Sequence, residues 1–124
     1  MFLGLDAGTS AVKALLVDDR QAVVAQASRG YPTSRPEPGW SEQDPADWIA
    51  AVEAAILALR AERPEALAAV RAIGLSGQMH SGVLLDRDHR VLRPAMLWND
   101  SRGREECMAP AAAVPDLATI TGVQ

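Results

Sequence analysis

With 124 residues, 48% of them hydrophobic, the chain holds enough material for one buried core without staples or structural metal. Its single cysteine, Cys107, excludes an internal disulfide, and no Cys/His group suits zinc, so a reducing cytoplasm is the expected compartment. Twelve basic residues against sixteen acidic ones, a net charge of −4 with no basic stripe, argue against a nucleic-acid partner, and no apolar run approaches the length of a membrane span.

Met1 leads directly into an apolar segment, with neither a basic region nor a cleavage site, so a protein that is not exported is expected. Residues 2–6, 11–18 and 22–28 read as three strands of an antiparallel meander, joined by the turn Asp6-Ala7-Gly8-Thr9-Ser10 and by Asp19-Arg20-Gln21. The first two strands are apolar on both faces, which predicts a sheet covered on both sides. Three prolines and two glycines in residues 30–39 mark a surface loop that ends at Trp40. A helix follows. Asp44 is its N-cap, Pro45 its first residue and Asp47 a favourable charge in its first turn, while Trp48, Val52, Ala55, Ile56 and Leu59 recur at helical spacing until Arg63-Pro64. Trp48 is expected in the core.

A short helical turn at residues 65–70 precedes a strand at 71–76, which is expected to lie parallel to its neighbour because it is entered from a helix. Residues 83–86 and 91–97 read as a hairpin around Arg87-Asp88-His89-Arg90, with His89 a solvated turn residue. Ser101 is a candidate cap for a helix through Glu105, Cys107 and Met108 that Pro115 ends, with Cys107 a packed small side chain rather than a nucleophile. No closing element is expected after Asp116.

The opening turn holds the most chemistry. One carboxylate (Asp6), one glycine (Gly8), two hydroxyls (Thr9, Ser10) and the chain's only lysine (Lys13) lie between two apolar strands. Amides and hydroxyls converging on a tight turn make an anion site, and Gly8 keeps a side chain out of it. The same residues are ordinary hairpin chemistry, so by itself the turn leaves both readings open.

Two later segments decide between them: Gly-Gln-Met-His-Ser-Gly at 77–82 and Leu-Trp-Asn-Asp-Ser-Arg at 97–102. With the turn, and with Trp-Ser-Glu-Gln-Asp-Pro at 40–45, they form four separated motifs that resemble the FGGY family of carbohydrate kinases. The resemblance runs over the whole chain. It implies an α/β, ribonuclease H-like (actin-like ATPase) fold with a mixed sheet and flanking helices, of which residues 1–124 would be the N-terminal portion of the first of two domains. It implies ATP and Mg²⁺ as cofactors, with Asp6 helping to hold the metal through water, Thr9 and Ser10 donating to the β- and γ-phosphates and Lys13 close by. Ala11 stands where some relatives carry a third hydroxyl. Met79 and His80 would line a sugar pocket, Gln78 would orient it, Trp98 would offer an apolar face, and Asn99 or Asp100 would add polar contacts. For residues 98–100 a strand end capping the next helix has nearly equal weight.

Within the family resembled, Gln78 tips the implied sugar toward D-xylulose, with gluconate the nearest rival. A non-catalytic sugar- or nucleotide-binding module is the reading from another class. No residue in the chain matches the family's catalytic base, which is expected beyond Gln124, and most of the nucleotide clamp is expected there too. The chain alone is therefore expected not to turn over, and to self-associate into a homo-oligomer through apolar surface at an unpaired sheet edge.

Overall fold

The computed structural model describes residues 1–122, and the side chains of residues 107–109, 111 and 112 lie outside that description. Three antiparallel strands come first: β1 (Phe2–Ala7), β2 (Ala11–Val17) and β3 (Val23–Gly30). The two-residue strand β4 (Glu42–Gln43) leads into helix α1 (Pro45–Glu62) and the short α2 (Pro64–Ala68), after which β5 (Ala72–Gly77) returns to the sheet. Strand β6 (Ala95–Met96) and the helices α3 (Arg104–Ala113) and α4 (Leu117–Thr121) follow.

The main sheet has the order β3-β2-β1-β5, with β5 parallel to β1 and the other pairs antiparallel. Both the meander and the parallel strand follow the expectation. The β2–β3 reversal is set by Asp18, whose Oδ1 accepts from the amides of Arg20 (2.8 Å) and Ala22 (2.9 Å). In α1 the Asp44 side chain accepts from the Ala46 amide at 2.9 Å, Pro45 stands at the first helical position, and the helix ends before Pro64.

Alternation within the strands selects the covered face. Leu3, Val12, Ala14, Leu16 and Ala25 meet Ala51, Ala55 and Leu59 of α1, and the two alanines let the helix approach the sheet closely. Burying a leucine such as Leu16 or Leu59 stabilises by about 1.5–3 kcal/mol. Among the described residues only this face is covered. The expectation of a two-sided sheet is not met, because α1 lies over β2 and β3, while β5 is exposed along its whole length and Leu75 is 80% exposed.

Three further segments differ from expectation. Residues 83–97 form only a loose hairpin, held by isolated bridges of Leu85 with Val91 and of Met96 with Gly82, and regular pairing is confined to Ala95–Met96 against β4. Val83, Leu84, Leu85, Val91 and Leu92 are exposed, so no packing rewards a longer ladder; Asp86 and a left-handed His89 shape the tip. Ser101 is not a helix cap. Its hydroxyl donates to the Gly39 carbonyl at 3.1 Å, and α3 starts later, from Gly103. The end of the chain carries α4, where no element was expected. The packing assigned to Cys107 lies outside the described residues.

Leu59→Ala is expected to destabilise the fold by about 2–4 kcal/mol through the cavity it leaves, while Leu57→Ala, on the 59% exposed outer side of α1, changes stability by less than about 0.5 kcal/mol. Urea unfolding of the two variants beside the wild type measures both.

Candidate active site

The turn between β1 and β2 is held from beneath by its own carbonyl groups. Ala7 O accepts from the Gln78 amide (2.8 Å), Gly8 O from the Tyr31 hydroxyl, Thr9 O from Gln43 Nε2 (2.7 Å) and Ser10 O from the Tyr31 amide (3.3 Å). Burial raises the Tyr31 phenol above its usual pKa, and the negative charge of Asp6 adds to the effect, so the hydroxyl keeps the proton it donates. A Cβ on Gly8 would meet only the Ala11 carbonyl, at an ordinary 3.5 Å, so no protein atom requires glycine there. The crowded glycine of this cleft is Gly77, where a Cβ would lie 3.2 Å from the Ala7 carbonyl and press on the pairing of β1 with β5.

Asp6, Gly8 and Thr9 line a cleft of about 340 Å³ together with Gly77, Gln78, Met79 and Trp98. Residues far apart in the chain meet there because β1 and β5 are parallel neighbours in register, Asp6 beside Ser76 and Ala7 beside Gly77, so the segments after both strands open at the same sheet end. Trp98 reaches across from its loop, 56% exposed, and donates from Nε1 to Thr9 Oγ1 at 3.2 Å. The Gln78 Oε1 acceptor is buried and has no hydrogen-bond partner among the described residues.

The other predicted residues stand outside this lining. Ser10 is exposed at the turn's tip. Lys13 pairs across the ladder with Asp6 and shares with it a second depression on the open sheet face, beside Gly4, Leu15, Gly74 and Ser76. His80 is exposed, with a left-handed backbone at φ 57°, immediately after Met79. Asn99 is exposed. Asp100 is engaged elsewhere: its carboxylate accepts from the Ser41 amide (2.8 Å) and from the Arg102 amide, Nε and Nη2 (3.0, 2.9 and 2.5 Å). The Arg102 hydrogen bond above all holds the Asp100 carboxyl well below the usual range, against the opposing effect of burial.

Arg102 also pairs with Glu42 at 2.7 Å and lies 3.6 Å over the Trp40 ring, and Arg93 meets the same Glu42 at 2.5 Å. The segments 40–45 and 97–102 are therefore clamped together by a partly buried ion cluster. Gln43 extends the clamp to the turn. Only 2% exposed, it donates to Thr9 O and Thr33 Oγ1 (2.8 Å) and accepts from Trp48 Nε1 (2.9 Å) and, at a long 3.4 Å, from Gln78 Nε2. Trp48 is thus half-buried against polar partners rather than part of the apolar core. Tyr31, Gln43 and Gly77 are support residues with no single-residue signal. Only the position of Gln43 directly before the Asp44-Pro45 helix start, and Tyr31's being the sole tyrosine, set them apart.

Comparison with known proteins places this arrangement. The N-terminal-domain model of the FGGY family of carbohydrate kinases matches residues 1–123. The chain belongs to this family. It is 47% identical over 122 residues to the xylulose kinase of Escherichia coli K12, covering 98% of this chain and 25% of that protein. Its structure superposes on a xyloylose (xylulose) kinase from Brucella ovis with a TM-score of 0.92 at 55% identity, covering 97% of this chain and 25% of the other. A gluconate kinase from Lactobacillus acidophilus gives a TM-score of 0.79 at 31% identity, over 90% and 22% of the two chains. The fold is thus α/β and actin-like, with the mixed sheet that the resemblance implied. The chain spans about a quarter of the length of these relatives.

Asp100→Asn is expected to lower the melting temperature by several degrees at pH 7 by weakening the clamp. Because the folded carboxyl titrates below its unfolded value, the Asp100 contribution is complete above the ordinary carboxylate pKa of about 3.9 and is lost as pH falls below it. Thermal unfolding from pH 7 to pH 3 should therefore show the gap between wild type and variant narrowing at the acid end.

Proposed function

We propose that this chain forms one wall of the active site of an ATP-dependent sugar kinase that converts D-xylulose to D-xylulose 5-phosphate. Residues 1–124 form the N-terminal portion of its first domain. The carrying observation is that the Asp6–Gly8–Thr9 turn and the Gln78–Met79–Trp98 wall line one cleft. In-line transfer needs an anion grip and a hydroxyl-binding surface side by side.

In this reading the Thr9 and Ser10 hydroxyls donate to the β- and γ-phosphates, and Lys13 adds positive charge on the sheet face it shares with Asp6. Trp98 acts twice. Its ring offers an apolar face to sugar C–H groups, and its N–H occupies an acceptor site on Thr9 Oγ1, leaving the Thr9 proton free to donate. Gln78 orients the sugar pocket, with Met79 and His80 beside it. Asn99 adds a polar contact at the rim, while Asp100 holds the loop that carries it.

Among the described residues no group of three His, Cys, Asp or Glu side chains forms a metal cage. One exposed carboxylate at the cleft suits Mg²⁺, which takes one or two carboxylates and completes its shell with phosphate and water. Held by Asp6, the ion would neutralise charge on the transferring phosphoryl group. The base that takes the sugar proton is assigned to chain beyond Gln124. The open sheet face and the β5 edge, with Ile73 and Leu75 exposed, suit packing by further protein, from the same polypeptide or from a second copy in a homo-oligomer. No described helix is long and apolar enough to cross a membrane; a cytoplasmic enzyme is the proposed setting.

Gluconate is the second sugar considered, on the strength of the likeness to the Lactobacillus acidophilus gluconate kinase. An ADP-release assay on the full protein against ketoses, polyols and sugar acids separates the two, with D-xylulose the expected substrate. Asp6→Ala should lower kcat by about 100-fold or more, and His80→Ala should chiefly raise the sugar KM, by about tenfold. Turnover of gluconate with none of D-xylulose would refute the substrate assignment.

A further inference from the structure

The turn's carbonyls point into the protein, and this dictates where its amides point. No peptide bond in the described chain is cis, and across a trans peptide the C=O of one residue and the N–H of the next face opposite ways. Drawing the Gly8 carbonyl onto the Tyr31 hydroxyl therefore turns the Thr9 N–H outward, and drawing the Thr9 carbonyl onto Gln43 Nε2 does the same for the Ser10 N–H. Those two amides donate to no protein group among the described residues, whereas the Gly8 amide is spent on Ala11 O at 3.1 Å. Two successive unspent amides beside a cleft form an anion-binding concavity.

We propose that Tyr31 and Gln43 are positioning residues for phosphate binding, holding the carbonyls of Gly8 and Thr9 inward so that the amides of Thr9 and Ser10 present to the nucleotide's terminal phosphates. The inference rests on the kinase reading only for the identity of the anion. Gln43 suits the task because all its hydrogen-bonding capacity is used: Trp48 Nε1 can only donate, which fixes the carboxamide oxygen on its side and sends Nε2 to Thr9. Tyr31 holds two carbonyls of the turn, that of Gly8 through its hydroxyl and that of Ser10 through its amide, on either side of the Thr9 carbonyl held by Gln43. Neither side chain lines the cleft, so both act through the turn.

The test uses Tyr31→Phe, which deletes one oxygen, and Gln43→Glu, which still accepts from Trp48 but has no N–H for the Thr9 carbonyl. Binding of the non-hydrolysable ATP analogue AMP-PNP and of AMP to the full protein is measured by calorimetry. Each variant should weaken AMP-PNP by about 5–20-fold while AMP changes less than about twofold, and kcat should fall about tenfold with the sugar KM within about threefold. Equal losses for AMP and AMP-PNP would mean a merely structural role and overturn the proposal, as would unchanged AMP-PNP affinity or a wild type that binds no AMP-PNP. If Gln43→Glu fails to fold, Tyr31→Phe decides alone. A wild type that binds AMP-PNP, loses that binding in Tyr31→Phe and yet phosphorylates no sugar would remove the kinase reading and leave the role of Tyr31 intact.

Discussion

Burial of polar side chains in the short segment Ser41–Gln43 is the constraint from which the site follows. A carboxylate and a carboxamide taken out of water must be paired, or the fold bears the cost of their desolvation. Glu42 is met by Arg93 and Arg102, and Gln43 by Thr9, Thr33 and Trp48. Each partner comes from a different part of the chain. Satisfying two residues thereby brings the 97–102 loop, helix α1 and the β1–β2 turn to one place, and the cleft lies where they meet.

The apolar core does a different job. Leu3, Val12, Leu16 and Leu59 hold sheet and helix together but carry no information about the site beyond its location at the end of β1 and β5. Registration of these two parallel strands sets Gly77 against Ala7 so closely that a side chain would intrude, and the Gln78 amide then reaches the Ala7 carbonyl. The β1–β2 turn and the segment after β5 are thus joined directly at the backbone as well as through the polar clamp.

Much of this was legible in the residues themselves. The meander, the Asp44-Pro45 helix start and the parallel return to the sheet followed from turn chemistry and periodicity, which act locally. The gathering of Asp6, Thr9, Gln78, Met79 and Trp98 followed from the resemblance between motifs, and spacing alone could not have supplied it. What escaped were features that depend on distant partners. Ser101 has the chemistry of a helix cap, yet its hydroxyl is claimed by Gly39, 62 residues away in sequence. The 83–97 hairpin has strand-like residues, but only Ala95–Met96 join a sheet and the arms before them stay exposed. For Asp100 the residues left a sugar contact and a structural role nearly equal, and its carboxylate is occupied by Arg102 and the Ser41 amide, partners that its position alone does not reveal. Apolar strands implied two covered faces, and the described residues cover one.

Turn and wall are proposed to serve a single reaction centre, and a crystal structure of the full protein with AMP-PNP and D-xylulose decides the matter. The terminal phosphate is expected within hydrogen-bonding distance of the Thr9 and Ser10 amides, and the sugar against Gln78, Met79 and Trp98. Phosphates bound away from the turn, or a sugar that leaves this cleft empty, would contradict it.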